Sequence, residues 1–207
     1  MPFAIPIPIA GQVPATATPI HRFFDHLVVA EAGGAGYIRG HTQQAGTILP
    51  QGPIRHVCFA EQAEIECDVD PLVSAISALS WPTSIRLIAS AMPQSPSATR
   101  TTTSSGIQRL TGSIHAHAFL TYYEIANHEM DVRYGTDPEQ WPEVLKFARM
   151  TRNAFGHGGT LDIRNPRATG VWRGLTLSYA NNGEQMLYNH IASGDVVLLM
   201  LDIKDLL

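Results

Sequence analysis

The clearest pattern of apolar and polar positions lies in the second half of the chain. Ile107, Leu110, Ile114, Phe119, Tyr122 and Ile125 recur at helical spacing and predict a long helix ending near Met130. Tyr134-Gly135-Thr136-Asp137-Pro138 breaks it. Pro142 then starts a second helix, whose face is Val144, Phe147, Ala148, Thr151, Ala154 and Phe155 and which Gly158-Gly159 stops. Ser193 and Asp195 open a last helix through Val196, Leu199, Met200, Ile203 and Leu206. Between these helices, strand-like runs 171–179 and 184–188 flank Asn181-Asn182-Gly183, a strong short-range signal for a β-hairpin.

The first half is more mixed. Runs 54–59 and 63–69 alternate in the period-2 manner of half-buried strands. Asp70-Pro71 supplies a cap and first-turn proline for a helix through Leu72, Ile76 and Leu79. Trp81-Pro82 ends it, and Thr83 is placed to cap another helix through Ile85, Leu87 and Ile88. Residues 1–20, rich in proline, alanine and threonine, read as an extended arm. Residues 21–30 suit a strand or short helix, and 31–40 a glycine-rich loop. Residues 93–105, dominated by serine, threonine and proline, read as a flexible connector. The expected organisation is an arm at 1–20, a mixed and partly β portion at 21–92, the connector at 93–105 and a helical domain at 106–207. The fold class is α+β, with a β-hairpin insertion before the last helix.

Composition narrows the chemistry. The chain has 207 residues, a formal net charge of -4 and only 15% charged residues. A grip on long nucleic acid usually needs a basic surface, so any RNA site here must be local and served by a few arginines. Two cysteines, Cys58 and Cys67, are too few for a disulfide scaffold and read as small buried thiols in a sheet. The apolar run 1–8 has no basic flank and is interrupted by prolines, and nothing approaches the ~20 apolar residues of a membrane span. The expectation is a cytoplasmic protein with no membrane association.

The chemistry concentrates at Thr151-Arg152-Asn153-Ala154-Phe155-Gly156-His157-Gly158-Gly159. Arginine offers a permanent charge and a planar fork suited to phosphate oxygens, and histidine moves protons near neutral pH. The spacing Arg-Asn-x-x-x-His resembles the signature of the HEPN superfamily, small helical proteins that include many metal-independent ribonucleases. The resemblance covers roughly the C-terminal half. It implies a metal-independent endoribonuclease, possible in a toxin or defence role, that leaves 2′,3′-cyclic phosphate and 5′-hydroxyl ends and needs no cofactor. His157 would be the general acid/base, Arg152 the phosphate clamp and Asn153 the orienting group. Arg149, one turn before Asn153, and Arg173 are candidate substrate-binding residues. Five residues correspond to ~500° of helix, which leaves Arg152 and His157 about 140° apart. The last turn must therefore unwind, or a second subunit must contribute. The resemblance implies a homodimer with a composite site, an RNA substrate and a possible neutralising or regulatory protein.

Other constellations carry less. His115 and His117 lie two apart on a helix and point in different directions, and the His-Glu-x-x-His spacing of helical zinc sites is absent, so no metal is expected there. Gly33-Gly34-Ala35-Gly36 lacks the partners of a phosphate loop. Trp172 suits a hairpin core better than the rim of a site. Two alternatives stand beside the nuclease reading. One is a catalytically silent HEPN-like binding module for a protein or nucleotide. The other is a structural or interaction protein in which Arg152 and His157 only tie down a helix end.

Overall fold

The computed structural model describes residues 2–6, 54–60, 63–68, 84–91 and 106–207, with single positions at 70, 74 and 78. The expectations for 21–40 and for the connector 93–105 lie outside the described residues. Of the helix expected after Asp70-Pro71, Asp70 and Ser74 are described as helical.

Strands β1 (Pro2–Pro6), β2 (Ile54–Val57), β3 (Ala63–Asp68) and β4 (Ser84–Ala91) form one antiparallel sheet in the order β1-β4-β3-β2. The period-2 alternation of β2 and β3 is realised directly. His56 pairs with Ile65 and both are buried, whereas Arg55 pairs with Glu66 on the other face at 3.4 Å. Cys67, on β3, and Cys58, just past β2, are buried thiols. One expectation is corrected here and another gains detail. Residues 84–91 are a central strand paired on both sides, not the helix expected after Thr83; two flanking strands outweigh a local capping signal. Part of the expected arm is the edge strand β1, where Pro2 and Pro6 are tolerated because an edge leaves N–H positions without a ladder partner.

Helix α1 (Gly106–Tyr134) runs 29 residues, past the expected end, before Gly135 turns the chain with φ +84°. Its buried stripe is His115, Phe119, Tyr122, Ala126 and Met130, with Ala118 and Tyr123 beside it. Leu110, expected on that face, is exposed, and Ile114 and Ile125 are half-buried. Helix α2 (Glu143–Gly156) buries Leu145, Phe147, Ala148, Thr151, Ala154 and Phe155, close to the expected face; Val144 is half-buried and Leu145 takes the inner position. Helix α3 (Ser193–Leu206) is buried on every side from Ser193 to Met200, so it is the core around which the others pack.

The hairpin precedes α3, but its turn is elsewhere. Strands β5 (Thr169–Trp172) and β6 (Leu175–Ser178) pair around Arg173-Gly174, not around Asn181-Asn182-Gly183. Both turn residues have positive φ (44° and 77°), as a tight two-residue hairpin loop requires. Asn181-Asn182-Gly183 instead closes the short 3-10 turn Tyr179–Asn181 that follows β6. β5 lies directly on α2: a Cβ on Gly170 would stand 2.6 Å from the backbone nitrogen of Phe147.

Sheet and helices share one core. The His56 ring meets the His115 ring of α1 edge-on at 4.9 Å, and Ser193 Oγ of α3 lies 3.4 Å from His56 Nδ1. The buried carboxylate of Asp195 accepts three backbone N–H groups: Phe59 at 2.7 Å, Ala60 at 3.0 Å and Ala192 at 2.8 Å. It therefore caps α3 and fixes the turn after β2 with the same side chain. The described residues thus form an α+β arrangement of three helices and antiparallel sheets, and among them no helix is long and apolar enough to cross a membrane.

Candidate functional site

One edge of α2 is polar. Arg149, Asn153 and His157 follow one another at four-residue steps and so line up along a single face. The helix ends there. His157 leaves helical geometry with φ -108° and ψ 36°, and Gly158, at φ +72°, takes the left-handed conformation that favours glycine. Gly159 donates its N–H back to the Ala154 carbonyl at 2.8 Å, the long closing bond of a Schellman stop.

The chain then doubles back as a wall opposite that edge. Met186 N–H bonds the Gly159 carbonyl and Gly183 N–H the Leu161 carbonyl, both at 2.8 Å. Leu161 N–H reaches the Glu184 carbonyl at 2.9 Å, and Ile163 N–H reaches Asn182 Oδ1 at 2.7 Å. These bonds present Asp162, Arg164 and Asn165 towards α2. The resulting open cleft of about 350 Å³ is lined by Arg149, Met150, Asn153 and His157 on one side. Asp162, Ile163, Arg164, Asn165 and Ala168 line the other, with Glu139 at the rim. Its size suits a small polar ligand or one unit of a polymer.

The electrostatics are balanced. Asp162 is gripped by Arg164, with Nη2 to Oδ2 at 2.9 Å and Nε to Oδ2 at 3.1 Å. The Arg164 hydrogen bonds hold the Asp162 carboxyl below the usual carboxylate range, and the charges of Arg164 and His157 act in the same direction. His157 Nε2 lies 3.9 Å from Asp162 Oδ2, and its ring is more than half exposed. Asn165 Nδ2 donates to Glu139 Oε1 at 3.3 Å, which ties the wall to the rim. Two arginines thus face two carboxylates around one exposed histidine.

Arg152 goes elsewhere. Its Nε and Nη2 stand 2.6 Å and 2.5 Å from Glu124 Oε1 on α1, and it does not line the cleft. The helix continues through the motif to Gly156 without unwinding, so Arg152 and His157 keep the angular separation that helical geometry imposes. Asn153 joins the two sides, because its Oδ1 accepts from Arg152 Nη1 at 3.3 Å while the residue lines the cleft. Nearby, burial pushes the Tyr123 phenol well above its usual range while the charges of Arg149 and Arg152 pull it down. Its hydroxyl has no hydrogen-bond partner among the described residues.

Arg173 also lies outside the cleft lining. It binds Asp202 of α3 through Nε at 2.7 Å and Nη2 at 2.9 Å, and the buried Trp172 donates Nε1–H to the same carboxylate at 2.6 Å. Its role in this structure is to fasten the hairpin. Of the α1 histidines, His115 is buried against His56 and His117 and His128 are exposed. Among the described residues no group of three or more His, Cys, Asp or Glu side chains is placed to hold a metal ion.

Of the five candidate residues, the structure brings together Arg149, Asn153 and His157, and leaves out Arg152 and Arg173. Sequence reasoning missed Asp162, Arg164, Asn165 and Glu139. The alternation in Asp162-Ile163-Arg164 was a signal, since it sets two exposable charged side chains around one buried apolar residue. Compared with protein-family models, curated proteins and solved structures, the chain matches none.

Proposed function

We propose that the cleft at the end of α2 is a phosphodiester site and that the protein is a metal-independent endoribonuclease of the HEPN kind. The observation that carries this reading is the alignment of Arg149, Asn153 and His157 in one open cleft with Arg164 opposite. His157 takes the proton of a ribose 2′-hydroxyl, and the freed oxygen attacks the adjacent phosphorus. The bond from phosphorus to the 5′-oxygen breaks, leaving a 2′,3′-cyclic phosphate and a 5′-hydroxyl. Arg149 and Arg164 offset the charge that grows on the phosphate, and Asn153 orients it. One histidine cannot at once accept the first proton and supply the proton that the leaving oxygen needs. A homodimer placing a second His157 across the cleft meets that requirement, and Arg152 joins the phosphate contacts once it leaves Glu124. In this reading the protein acts on cytoplasmic RNA, in a toxin or defence role, with a neutralising protein as partner.

A second reading is favoured by a specific observation: the cleft holds as many carboxylates as arginines, and Arg152 is tied to Glu124. That balance suits a binding module that holds a nucleotide or protein without cutting. The deciding experiment is incubation of labelled RNA in EDTA with the protein and with His157→Ala. The nuclease reading expects cyclic-phosphate ends and a loss of about 10²- to 10⁴-fold in the variant. Intact RNA beside a folded wild-type protein selects the binding module.

A further inference from the structure

We infer that Glu124 is a regulatory latch on Arg152, which a ligand phosphate must displace before the arginine can serve the site. This rests on reading the cleft as a phosphodiester site. All three guanidinium nitrogens of Arg152 are engaged within the chain: Nε and Nη2 by Glu124, and Nη1 by Asn153. In this rotamer the fork faces α1 rather than the cleft. Both partners lie at the surface, with side-chain exposures of 38% for Arg152 and 55% for Glu124, so the latch opens without unpacking the core. An exposed ion pair weakens a competitor for the same arginine by about two- to fivefold. That is enough to set a resting position and little enough for a phosphate to overcome. Asn153 gives the latch a route to the site, since it touches Arg152 and lines the cleft. Glu124 is therefore a positioning residue with a negative effect on ligand affinity.

The test is binding of a short 2′-O-methyl RNA oligonucleotide, which cannot be cleaved, at low salt. It compares the wild type with Glu124→Gln, Arg152→Ala and the double variant. The latch expects Glu124→Gln to tighten binding about two- to fivefold in the wild-type background and to change nothing when Arg152 is alanine. Equal tightening in both backgrounds overturns it, because loss of a negative charge alone then explains the effect. Unchanged or weaker binding by Glu124→Gln overturns it as well, as does absence of binding by every form. The probe separates the two ideas: failure to cut RNA in EDTA sinks the nuclease and leaves the binding comparison standing.

Discussion

The carboxylate of Asp195 accepts the N–H of Phe59 at 2.7 Å, across 136 positions of sequence. With the bonds to Ala60 and Ala192, one buried acid joins the edge of the sheet to the start of the core helix. Removing it leaves three N–H groups without this acceptor at a largely buried junction. Asp195→Ala is expected to cost about 3–5 kcal/mol, and Asp195→Asn, which keeps one oxygen, roughly half as much. In thermal melts the first corresponds to a drop on the order of 10 °C. A drop below about 3 °C would show that the junction is held by other contacts.

Gly170 and Gly112 separate two kinds of close approach. A Cβ at Gly170 meets the Phe147 backbone nitrogen at 2.6 Å and Cα at 2.7 Å, which cannot move without shifting α2 from β5. A Cβ at Gly112 meets the hydroxyl end of Tyr188 at 2.6 Å, and a side-chain tip can turn aside. Gly170→Ala is expected to cost about 3 kcal/mol or more, and Gly112→Ala about 1–2 kcal/mol. Urea titration of both variants checks the order, and equal costs would mean that the β5 contact is softer than the geometry implies.

Arg173 is expected to matter for stability and not for ligand. Asp202 accepts from both Trp172 and Arg173, so Asp202→Ala is expected to lose about 1–3 kcal/mol. Arg173→Ala, which leaves the tryptophan bond in place, is expected to lose about 1 kcal/mol or less, since the pair is partly exposed. Neither should alter affinity for a short oligonucleotide. A several-fold loss of affinity in Arg173→Ala would return this residue to the site.

Alkaline pH probes the core. Burial pushes the phenols of Tyr122 and Tyr123 well above their usual range; Glu129 and Asp205 add to this for Tyr122. Their folded values stand above the unfolded value of about 10, so the stability they contribute is complete below that pH and is lost as pH rises beyond it. Phenolate absorbance from these two residues is expected only together with loss of near-ultraviolet circular dichroism. Tyr123→Phe removes a buried hydroxyl that no described residue bonds, so at neutral pH its stability should stay within about 1 kcal/mol of the wild type. Phenolate signals for all six tyrosines in a still-folded protein would contradict the burial.

What was legible in the sequence follows from the range of the forces involved. The three helices were readable because their apolar stripes and stop signals are local. The α2 face, the Gly158 stop and the Ser193 start all appear close to where the pattern placed them. The turn at Arg173-Gly174 was hidden, because Asn182-Gly183 carries the stronger local preference, and Asp202 helps to hold Arg173 in place from 29 positions away. The strand at 84–91 needed partners at 2–6 and 63–68 to outweigh a capping signal. At the site, the four-residue steps from Arg149 to His157 were present in the sequence. The diversion of Arg152 to Glu124 was not, since it depends on how α1 packs against α2.

The wall of the cleft has one more consequence. Segment 159–163 hangs on main-chain bonds to 182–186, together with the Asn182 side chain and a Gln185–Thr160 side-chain bond, while Asp162 and Arg164 bond each other and bear none of that load. The shape of the groove and its charge are therefore written by different atoms. Drift at Asp162 and Arg164 can turn it basic, neutral or acidic while the scaffold stays put. Exchanging these two side chains resets what the groove attracts and leaves untouched the bonds that hold its wall.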